Sequence, residues 1–540
     1  MRNLLNIIFL LITVTAVFSQ ETSAVEIPKS SPVDTLKIEL SDSGQDSTFE
    51  FTPPVTPKSH DEIKVDIVAP SNLTQVNSIF SDFAPYVSAA GDRLFFSSIR
   101  DNDTEDLYIS EFADNRWQTP YSIGSPINTD ANEGSMAISS DGNLIVFAAC
   151  GRKDTYGGCD LYFSERTTDG WTEPRNLGKN VNSPGWEGHP SISSDGKWLY
   201  FSSDRYGGFG GRDIWRSPRK DNSWGKPENL KFPINNARDQ ASPFIHPDGT
   251  TLYYASSGHG GVGMLDVFKS ELDSTGKWSE PLNLGPPVNT PGSDYFFSIP
   301  AKGDIIYFAS DRQGGYGGFD IYWLPLSEAL RPKVVATLAG KVTDKETGEP
   351  LDALITVERI STGEVLAEPR TNPETGEFFI VLPAGETYGI SVSADGYAFS
   401  SERYDVPVDE GYQELRMDFK LSRVKVGEIV EMRNIFFDFN SDELKSESES
   451  ELQRVLKLLT EYPDLRIEIQ GHADSIGTSE YNLDLSKRRA MSVLRWLVDN
   501  GITAKRLKAE GMGDAVPLAP NVSEEGRQLN RRTEFHIIGE

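Results

Sequence analysis

The chain has 540 residues, a length that corresponds to about three or four domains. Its composition is globular, with 37% hydrophobic and 25% charged residues, and its 47 glycines and 32 prolines are typical of turn-rich β folds. The 81 acidic residues outnumber the 52 basic ones and leave a net charge of −29, which disfavours binding to nucleic acid or to an anionic lipid surface. Two cysteines are too few for a disulfide scaffold or a four-thiolate zinc site.

The first twenty residues have the pattern of a secretory signal peptide. Arg2 gives a positive start, residues 4–18 are apolar, and Val17 and Ser19 stand at the −3 and −1 positions of a small-residue cleavage site. The alternative is a membrane anchor, but the apolar stretch is shorter than the ~20 residues that a spanning helix needs. We therefore expect an exported mature chain without a transmembrane span. Residues 21–64 are rich in Ser, Pro, Thr and acids and are predicted to be a disordered linker.

Residues 65–328 contain five copies of one sequence pattern. Each copy has an apolar strand with a central aromatic residue, a polar or Gly-rich turn, and a strand that begins with an acid. The aromatic residues are Phe96, Phe147, Phe201, Tyr254 and Phe308, the acids are Asp106, Asp160, Asp213, Asp266 and Asp320, and a Trp opens a further strand at Trp117, Trp171, Trp224 and Trp278. Each copy therefore predicts a four-stranded antiparallel sheet, and radial packing of such sheets gives a β-propeller.

The two ends of this segment predict how the ring closes. The fifth copy ends at residues 320–326 without its Trp strand, whereas residues 70–78 match the tail of the other copies. An N-terminal strand that completes the last blade predicts five blades; the alternative is six blades, one of them degenerate. The signature at residues 194–215 resembles the TolB-type, WD-like β-propeller family, which implies binding of proteins or glycans rather than a reaction. The repeated acids are expected to cap turns, with a ligand site as the alternative.

The two cysteines suit an oxidising compartment. Cys150 and Cys159 flank the sequence of a predicted hairpin loop. A disulfide across the base of a hairpin has suitable Cα spacing, so this pair is the disulfide candidate. Two unpaired thiols are the alternative.

Residues 333–422 change in character and contain about seven short strands broken by Gly turns. This pattern predicts a small β-sandwich. It resembles the carboxypeptidase regulatory-like (transthyretin-like) domain, on the residues Gly340, Gly348, Leu351, Gly376, Phe378, Gly385, Tyr388, Gly396 and Tyr397. We expect this domain to act as a spacer or a protein contact.

Residues 428–540 mix strand and helix periodicity and predict a compact α/β sandwich. Residues 434–439 are predicted to form a strand, and residues 440–462 a helix that Asn440 and Glu443 cap at its start. Further elements are a strand over 464–474, a helix over 479–501 that Gly501 ends, and strands in the segments 507–513 and 531–537.

Asp474 and Arg489 form the candidate binding site of this domain. Asp474 follows the second predicted strand, and the three- and four-residue spacing of Asn482, Leu485 and Arg489 gives one helical stripe that can face it. A carboxylate and a guanidinium across a crevice suit a zwitterion, because the acid binds its ammonium and the Arg fork binds its carboxylate. The free amino-acid end of diaminopimelate in peptidoglycan is such a ligand. The alternative is that the two side chains only pair with each other.

The motif GHADSIGTSEYNLDLSKRRAMSVLRWL, with GMGDAVP and NRRTEF downstream, resembles the OmpA-like peptidoglycan-binding domain that is also found in Pal and MotB. In that family the acid of the first loop and the second Arg of the S-x-R-R-A run bind diaminopimelate, which implies Asp474 and Arg489 here. The resemblance places Asn440, Asn482 and Leu485 in the pocket lining. Arg488, Arg531 and Arg532 are candidates for contacts with the stem peptide or for a solvated face, and His472 is expected to be an ordinary residue at a strand end.

No motif for catalysis is present: G-x-S-x-G, H-E-x-x-H and the P-loop are missing from the sequence, and the six histidines lack metal-ligand spacing. We expect a protein that is not an enzyme and needs no metal or cofactor. It is expected in the periplasm of a Gram-negative bacterium, associated with the outer membrane or cell wall, with peptidoglycan and envelope proteins as partners. A propeller joined to an OmpA-like domain resembles envelope proteins of Bacteroidetes, some of which tie a type IX secretion machine to the wall. The alternatives are a periplasmic glycan or ligand receptor that the OmpA-like domain only localises, and an exported hydrolase.

Overall fold

The computed structural model describes residues 68–101, 104–220, 223–438 and 440–539. The predicted signal peptide and linker, residues 1–64, lie outside the described residues. Within the described ranges, none of the helices combines the length and the apolar character that crossing a bilayer requires.

The five sequence repeats fold into five sheets, which we call the repeat region (residues 68–328). Strands follow one another in chain order across each antiparallel sheet. The strands are Asp82–Val87, Arg93–Ser98, Asp106–Ala113, Arg116–Trp117 and Tyr121–Ser122 in the first sheet; Asn132–Ile138, Leu144–Cys150, Cys159–Thr167, Gly170–Trp171 and Arg175–Asn176 in the second; Glu187–Ile192, Trp198–Ser203, Asp213–Lys220, Ser223–Trp224 and Glu228–Asn229 in the third; Gln240–Ile245, Thr251–Ser256, Asp266–Glu271 and Leu282–Asn283 in the fourth; and Asp294–Ser298, Ile305–Ser310 and Asp320–Pro325 in the fifth.

The fifth sheet is completed by the start of the repeat region. The strand Ser71–Asn72 pairs antiparallel with Asp320–Pro325, with Ser71 opposite Trp323. This pairing is the one that the tail-like sequence of residues 70–78 predicts. Because strand Ser71–Asn72 precedes the first sheet in the chain, the pairing joins the two ends of the repeat region.

Alternation along the second strands places the repeated aromatic residues in the core, where all five are fully buried. The acids that open the third strands bond the backbone of the preceding turn. Asp160 accepts from the backbone N–H of Tyr156 at 2.7 Å, and Asp213 accepts from that of Gly210 at 3.1 Å. The same contact recurs at Asp266 and Asp320. The turn-capping interpretation is therefore confirmed for these four acids.

Neighbouring sheets contact one another in chain order. The first strand of each sheet touches that of the next, and the first strand of the fifth sheet touches that of the first. Each Gly-rich turn between second and third strands also packs on the connector into the next sheet. A Cβ atom on Gly210 would overlap the carbonyl oxygen of Arg238, and one on Gly317 would overlap that of Phe80. The close packing of successive sheets therefore requires glycine in these turns.

Cys150 and Cys159 lie opposite each other on adjacent strands of the second sheet. They form a disulfide, with their Cα atoms 4.1 Å apart. The bond closes the base of the turn that contains Tyr156, and it therefore restrains that turn.

Residues 333–422, the middle region, form two four-stranded sheets around one hydrophobic core. The first sheet contains Glu377–Pro383, Val335–Asp344, Gln413–Arg416 and Phe419–Leu421, and the second contains Glu364–Ala367, Leu354–Arg359, Glu386–Ser393 and Ser400–Val406. Side chains from both sheets meet in this core, among them Leu338, Ile355, Phe378 and Ile390.

The middle region contacts the repeat sheets at the turns between their first and second strands. Asn143 Nδ2 donates to the carbonyl of Arg370 at 3.0 Å, and Lys197 Nζ donates to that of Val365 at 2.8 Å. The connecting segment, which contains the 3₁₀ turn Glu328–Leu330, is bonded to the fourth sheet. In an antiparallel sheet these turns lie at the end opposite to the Gly-rich turns, so the Gly-rich end points away from the middle region.

The C-terminal region, residues 428–539, is a four-stranded sheet with three helices. The sheet order is Ile429–Met432, Thr533–Gly539, Arg466–His472 and Leu507–Gly513, and its last two strands are parallel. The helices are α1 (Glu449–Glu461), α2 (Ser479–Asp499) and α3 (Glu524–Asn530), with 3₁₀ turns at Ser446–Ser448 and Ala504–Arg506. Leu452, Val455 and Leu459 of α1 pack with Val493 of α2 and Ile469 of the sheet in one core.

Two predicted elements of this region are wrong. The strand predicted over 434–439 lies earlier, at Ile429–Met432, and α1 begins at Glu449 rather than at Asn440. Asn440 does not cap a helix, because its φ of +57° is left-handed and its side chain bonds the hydroxyl of Tyr481. Tertiary contacts with α2 therefore override the local capping pattern in this segment.

Candidate functional site

Helix α2 positions the stripe of predicted site residues. Asn482 and Leu485 are buried and Arg489 is half-buried, so the stripe faces the protein and not the solvent. The side-chain amide of Asn482 donates to the backbone carbonyl of Asp474 at 3.1 Å. This bond attaches the loop that follows strand Arg466–His472 to the first turn of α2.

Asp474 lies in that loop and is only 8% exposed. Its Oδ1 accepts from the backbone N–H of Ile476 at 2.9 Å, and its Oδ2 accepts from Nη1 of Arg531 at 2.6 Å. Asp474 therefore pairs with Arg531. An internal pair between Asp474 and Arg489, the structural alternative to a binding site, is not formed among the described residues.

Arg489 contacts only neutral groups. Its Nε donates to the carbonyl of Ser441 at 2.9 Å and its Nη2 to that of Asp438 at 3.3 Å, while its guanidinium carbon lies 4.9 Å from the centre of the Phe437 ring. No carboxylate in the part of the chain that the structure describes pairs with it. Burial lowers the pKa of Arg489, and the positive charges of Arg488 and Arg531 lower it further. A half-buried cation with neutral partners is prepared to bind an anion.

Asn440 lies beside the same helix. Its side-chain oxygen accepts a hydrogen bond from the hydroxyl of Tyr481 in the first turn of α2. The loop over residues 438–444 and the loop over 474–478 thus both contact the N-terminal half of α2. The predicted residues Asp474, Arg489, Asn440, Asn482 and Leu485 all belong to these two loops and this helix.

His472 and Glu534 support the sheet below the site. Nε2 of His472 lies 3.0 Å from Oε1 of Glu534 on the neighbouring strand. Burial alone would raise the pKa of Glu534, but the contact with His472 and the positive charge of Arg532 hold this pKa at about 2. Glu534 is therefore ionised at neutral pH, and His472 belongs to the support of the site rather than to its surface.

The sequence did not reveal the partners that surround Arg531. Its Nη2 donates to Oε1 of Glu524 at 2.6 Å, and Glu524 also pairs with Arg527. The side chain of Asn521 accepts from the backbone N–H of Ser475, which connects this group back to the loop that contains Asp474. The only sequence signal for this group is the helix start at Ser523, which gives no indication of a contact with a loop about fifty residues earlier.

A second candidate surface lies at the Gly-rich end of the repeat region. Four residues, each placed four positions before a repeated acid, are between 54% and 61% exposed and define what we call the tip residues: Tyr156, Phe209, Val262 and Tyr316. They lie in equivalent turns of four successive sheets. Exposed apolar side chains grouped in this way are typical of protein contact sites, and tyrosine on Gly-rich loops is common in binding surfaces.

Aromatic side chains fill the middle of the ring of first strands. Tyr86 of the first sheet lies 5.8 Å from Phe244 of the fourth, and His189 of the third sheet lies 4.7 Å from Phe296 of the fifth, as ring centres. Trp186 packs on the other side of His189 at 4.9 Å. Burial lowers the pKa of His189 to about 3, so this ring is neutral at pH 7. Contacts between non-neighbouring sheets show that the side chains meet across the ring.

Comparison with known proteins agrees with the geometry of the C-terminal region. Residues 436–531 match the OmpA family. Outer membrane protein A of Bordetella avium is 43% identical over 104 residues, which are 19% of this chain and 54% of that protein. The peptidoglycan-associated lipoprotein of Agrobacterium fabrum is 40% identical over 85 residues, which are 16% of this chain and 48% of that protein. The chain thus spans about half the length of these two relatives.

A solved structure is also similar to a part of this chain. The crystal structure of the peptidoglycan-associated lipoprotein from Burkholderia pseudomallei is 32% identical and is covered over 88% of its length, against 20% of this chain, with a TM-score of 0.18. The family match and the two relatives identify the C-terminal region as an OmpA-like domain, similar to domains of outer membrane protein A and of a peptidoglycan-associated lipoprotein.

Proposed function

We propose that this chain is a non-catalytic protein of a Gram-negative cell envelope that binds the diaminopimelate end of a peptidoglycan stem peptide. The observation that carries the proposal is the half-buried guanidinium of Arg489, which has only carbonyl partners. In the complex, Arg489 binds the carboxylate of the ligand and Asp474 binds its ammonium. Asn440, Asn482 and Leu485 form the wall between them. The similarity to a peptidoglycan-associated lipoprotein supports this assignment.

The repeat region has a different role in this proposal. Its five sheets are the blades of a five-bladed β-propeller, residues 333–422 are a carboxypeptidase regulatory-like β-sandwich that acts as a spacer, and the tip residues contact an envelope protein. The closed series of contacts between first strands supports the propeller. The filled middle of the ring favours contact through the surface over a soluble glycan bound in a central channel. The chain then ties an outer-membrane or type IX-like secretion complex to the cell wall.

Sedimentation with purified peptidoglycan sacculi tests the first part of the proposal. Arg489→Gln and Asp474→Asn each remove one charged hydrogen-bonding group from the site, which corresponds to a loss of about 10- to 100-fold in affinity. Arg495→Gln on the exposed side of α2 and Asp499→Asn at its end are matched controls that should sediment like the wild type. If both site variants sediment like the wild type and keep its melting temperature, the assignment of Asp474 and Arg489 to the binding pocket is wrong.

Crosslinking in cells tests the second part. The triple variant Tyr156→Ser, Phe209→Ser, Tyr316→Ser should lose its crosslinks to an envelope protein while it still binds sacculi, because the tip residues lie at the end of the repeat sheets opposite to the turns that contact the middle region. Tyr121→Ser, at an exposed tyrosine in another part of the repeat region, is the control. Crosslinks that persist at wild-type yield in the triple variant would exclude the tips as the contact surface.

A further inference from the structure

Arg531 occupies the oxygen of Asp474 that an ammonium ligand needs. The two oxygens of Asp474 already accept hydrogen bonds, Oδ1 from the backbone of Ile476 and Oδ2 from Arg531. The exposed fraction of Asp474 is 8%, so little of its surface is open to a second cation. A ligand ammonium that binds Asp474 therefore has to replace Arg531 there.

Glu524 gives Arg531 a second partner. Nη2 of Arg531 lies 2.6 Å from Oε1 of Glu524, whose side chain is 59% exposed at the rim of the site. Arg531 thus keeps one ion pair when its contact with Asp474 is broken. Only one half of its guanidinium fork, the half that faced Asp474, is then left without an acceptor.

The positive charge of Arg531 also reaches the anion-binding part of the site. Together with burial and Arg488, it lowers the pKa of Arg489. The carboxylates near these groups already have cationic partners, since Asp474 pairs with Arg531 and Asp442 pairs with Arg488 at 2.6 Å. A ligand carboxylate near Arg489 therefore meets a guanidinium that has only carbonyl hydrogen-bond partners among the described residues.

We propose that Arg531 is a specificity-determining residue that makes the site select a zwitterionic end over a simple ammonium group. The inference rests on the proposed function. A ligand that carries only an ammonium displaces Arg531 from Asp474 and offers no acceptor in return. A ligand whose ammonium carbon also bears a carboxylate supplies that acceptor to the freed N–H groups of Arg531 and to Arg489. The site therefore binds stem peptides that contain diaminopimelate more tightly than stem peptides that contain lysine.

Calorimetric titration of the full chain with two soluble tripeptides tests this inference. The probes are L-Ala-γ-D-Glu-meso-diaminopimelate and L-Ala-γ-D-Glu-L-Lys, whose side-chain ammonium carbon bears no carboxylate. The wild type should bind the first at least 10-fold more tightly. Arg531→Gln should weaken binding of the diaminopimelate peptide, strengthen binding of the lysine peptide, and reduce their affinity ratio at least 10-fold. Arg527→Gln, which also loses a contact to Glu524 but does not touch Asp474, should keep the wild-type ratio.

The outcomes separate this inference from the proposed function. If the diaminopimelate peptide binds the wild type and Arg531→Gln keeps the ratio, the inference is overturned while the peptidoglycan proposal stands. If neither peptide binds the wild type, both are overturned. Arg531→Lys keeps the charge but not the fork that spans Asp474 and Glu524, so it should give an intermediate ratio. That variant decides the question if Arg531→Gln does not fold.

Discussion

The guanidinium of Arg489 is held in place without being neutralised. Two backbone carbonyls and the face of Phe437 fix its orientation, yet none of these groups carries a formal negative charge. Carbonyl partners and an aromatic face satisfy N–H groups and attract a cation, but they compensate its charge less than a carboxylate does. The residue is thereby pre-oriented for an anion, and little side-chain freedom remains to be lost when the anion binds.

The sequence predicted the residues of this site better than their pairings. Asn482, Leu485 and Arg489 were predicted to share a face because helical spacing is regular, and the structure has them in α2. The partnership of Asp474 with Arg531 was not predicted, because it joins two loops 57 positions apart and no periodicity connects them. The prediction that Asn440 caps a helix is also wrong. A polar residue three positions before an acid has the local pattern of a helix cap, whatever side chain it contacts in the fold.

The repeated sheets allow one buried pair of side chains to be compared at equivalent places. In four of them a buried acid near the start of the first strand pairs with an Arg from the turn between the second and third strands: Asp82 with Arg100, Glu133 with Arg152, Glu187 with Arg205, and Asp294 with Arg312. The fourth sheet has Gln240 and His259 at these places, and His259 bonds the carbonyl of Pro233 at 2.9 Å in the connector. Because Gln240 replaces the acid, the fourth sheet has no carboxylate at this place that needs an Arg partner.

This difference predicts unequal costs of substitution. Arg205→Met leaves the fully buried carboxylate of Glu187 without its cation, which should destabilise the repeat region by about 3–5 kcal/mol. His259→Met removes the hydrogen bonds of the imidazole to Ser256 and to the carbonyl of Pro233 and leaves no buried carboxylate unpaired, so it should cost about 1–2 kcal/mol. Chemical denaturation followed by tryptophan fluorescence compares the two variants. Equal losses in the free energy of unfolding would show that the ion pair contributes no stability beyond the packing that the two positions share.

The elements themselves were predictable to the extent that their pattern is local. The repeated strands and α2 follow from regular apolar spacing, and the sheets have the predicted antiparallel order. The sequence predicts a start of helix α1 about nine residues too early, because the pattern of residues 440–448 is compatible with a helix. In the structure, hydrogen bonds to Arg489 and Tyr481 hold part of this segment in a loop. A contact with a distant helix is not encoded in the local pattern that gave the prediction.

At the scale of the whole molecule, the middle region and the OmpA-like domain share a core. Ala398 and Phe399, which precede the last strand of the second middle sheet, are part of the hydrophobic core of the C-terminal region, where Phe399 packs 6.2 Å from Phe535. Arg454 of α1 pairs with Glu358 of the middle region at 2.7 Å, and both side chains are largely buried. The OmpA-like domain is thus coupled to the middle region through packing and not through a flexible linker.

We expect this shared core to make the two regions unfold together. Phe399→Ala removes a buried aromatic side chain from the OmpA-like core and should cost about 3–5 kcal/mol, and differential scanning calorimetry should show the middle and C-terminal regions melting earlier as one transition. Val408→Ala, at an exposed position of the middle region, should leave the profile unchanged. If Phe399→Ala instead shifted the transition of one region and left the other at its wild-type temperature, the two regions would be independent. The contacts of Phe399 and Arg454 would then not be sufficient to couple the middle region to the OmpA-like domain.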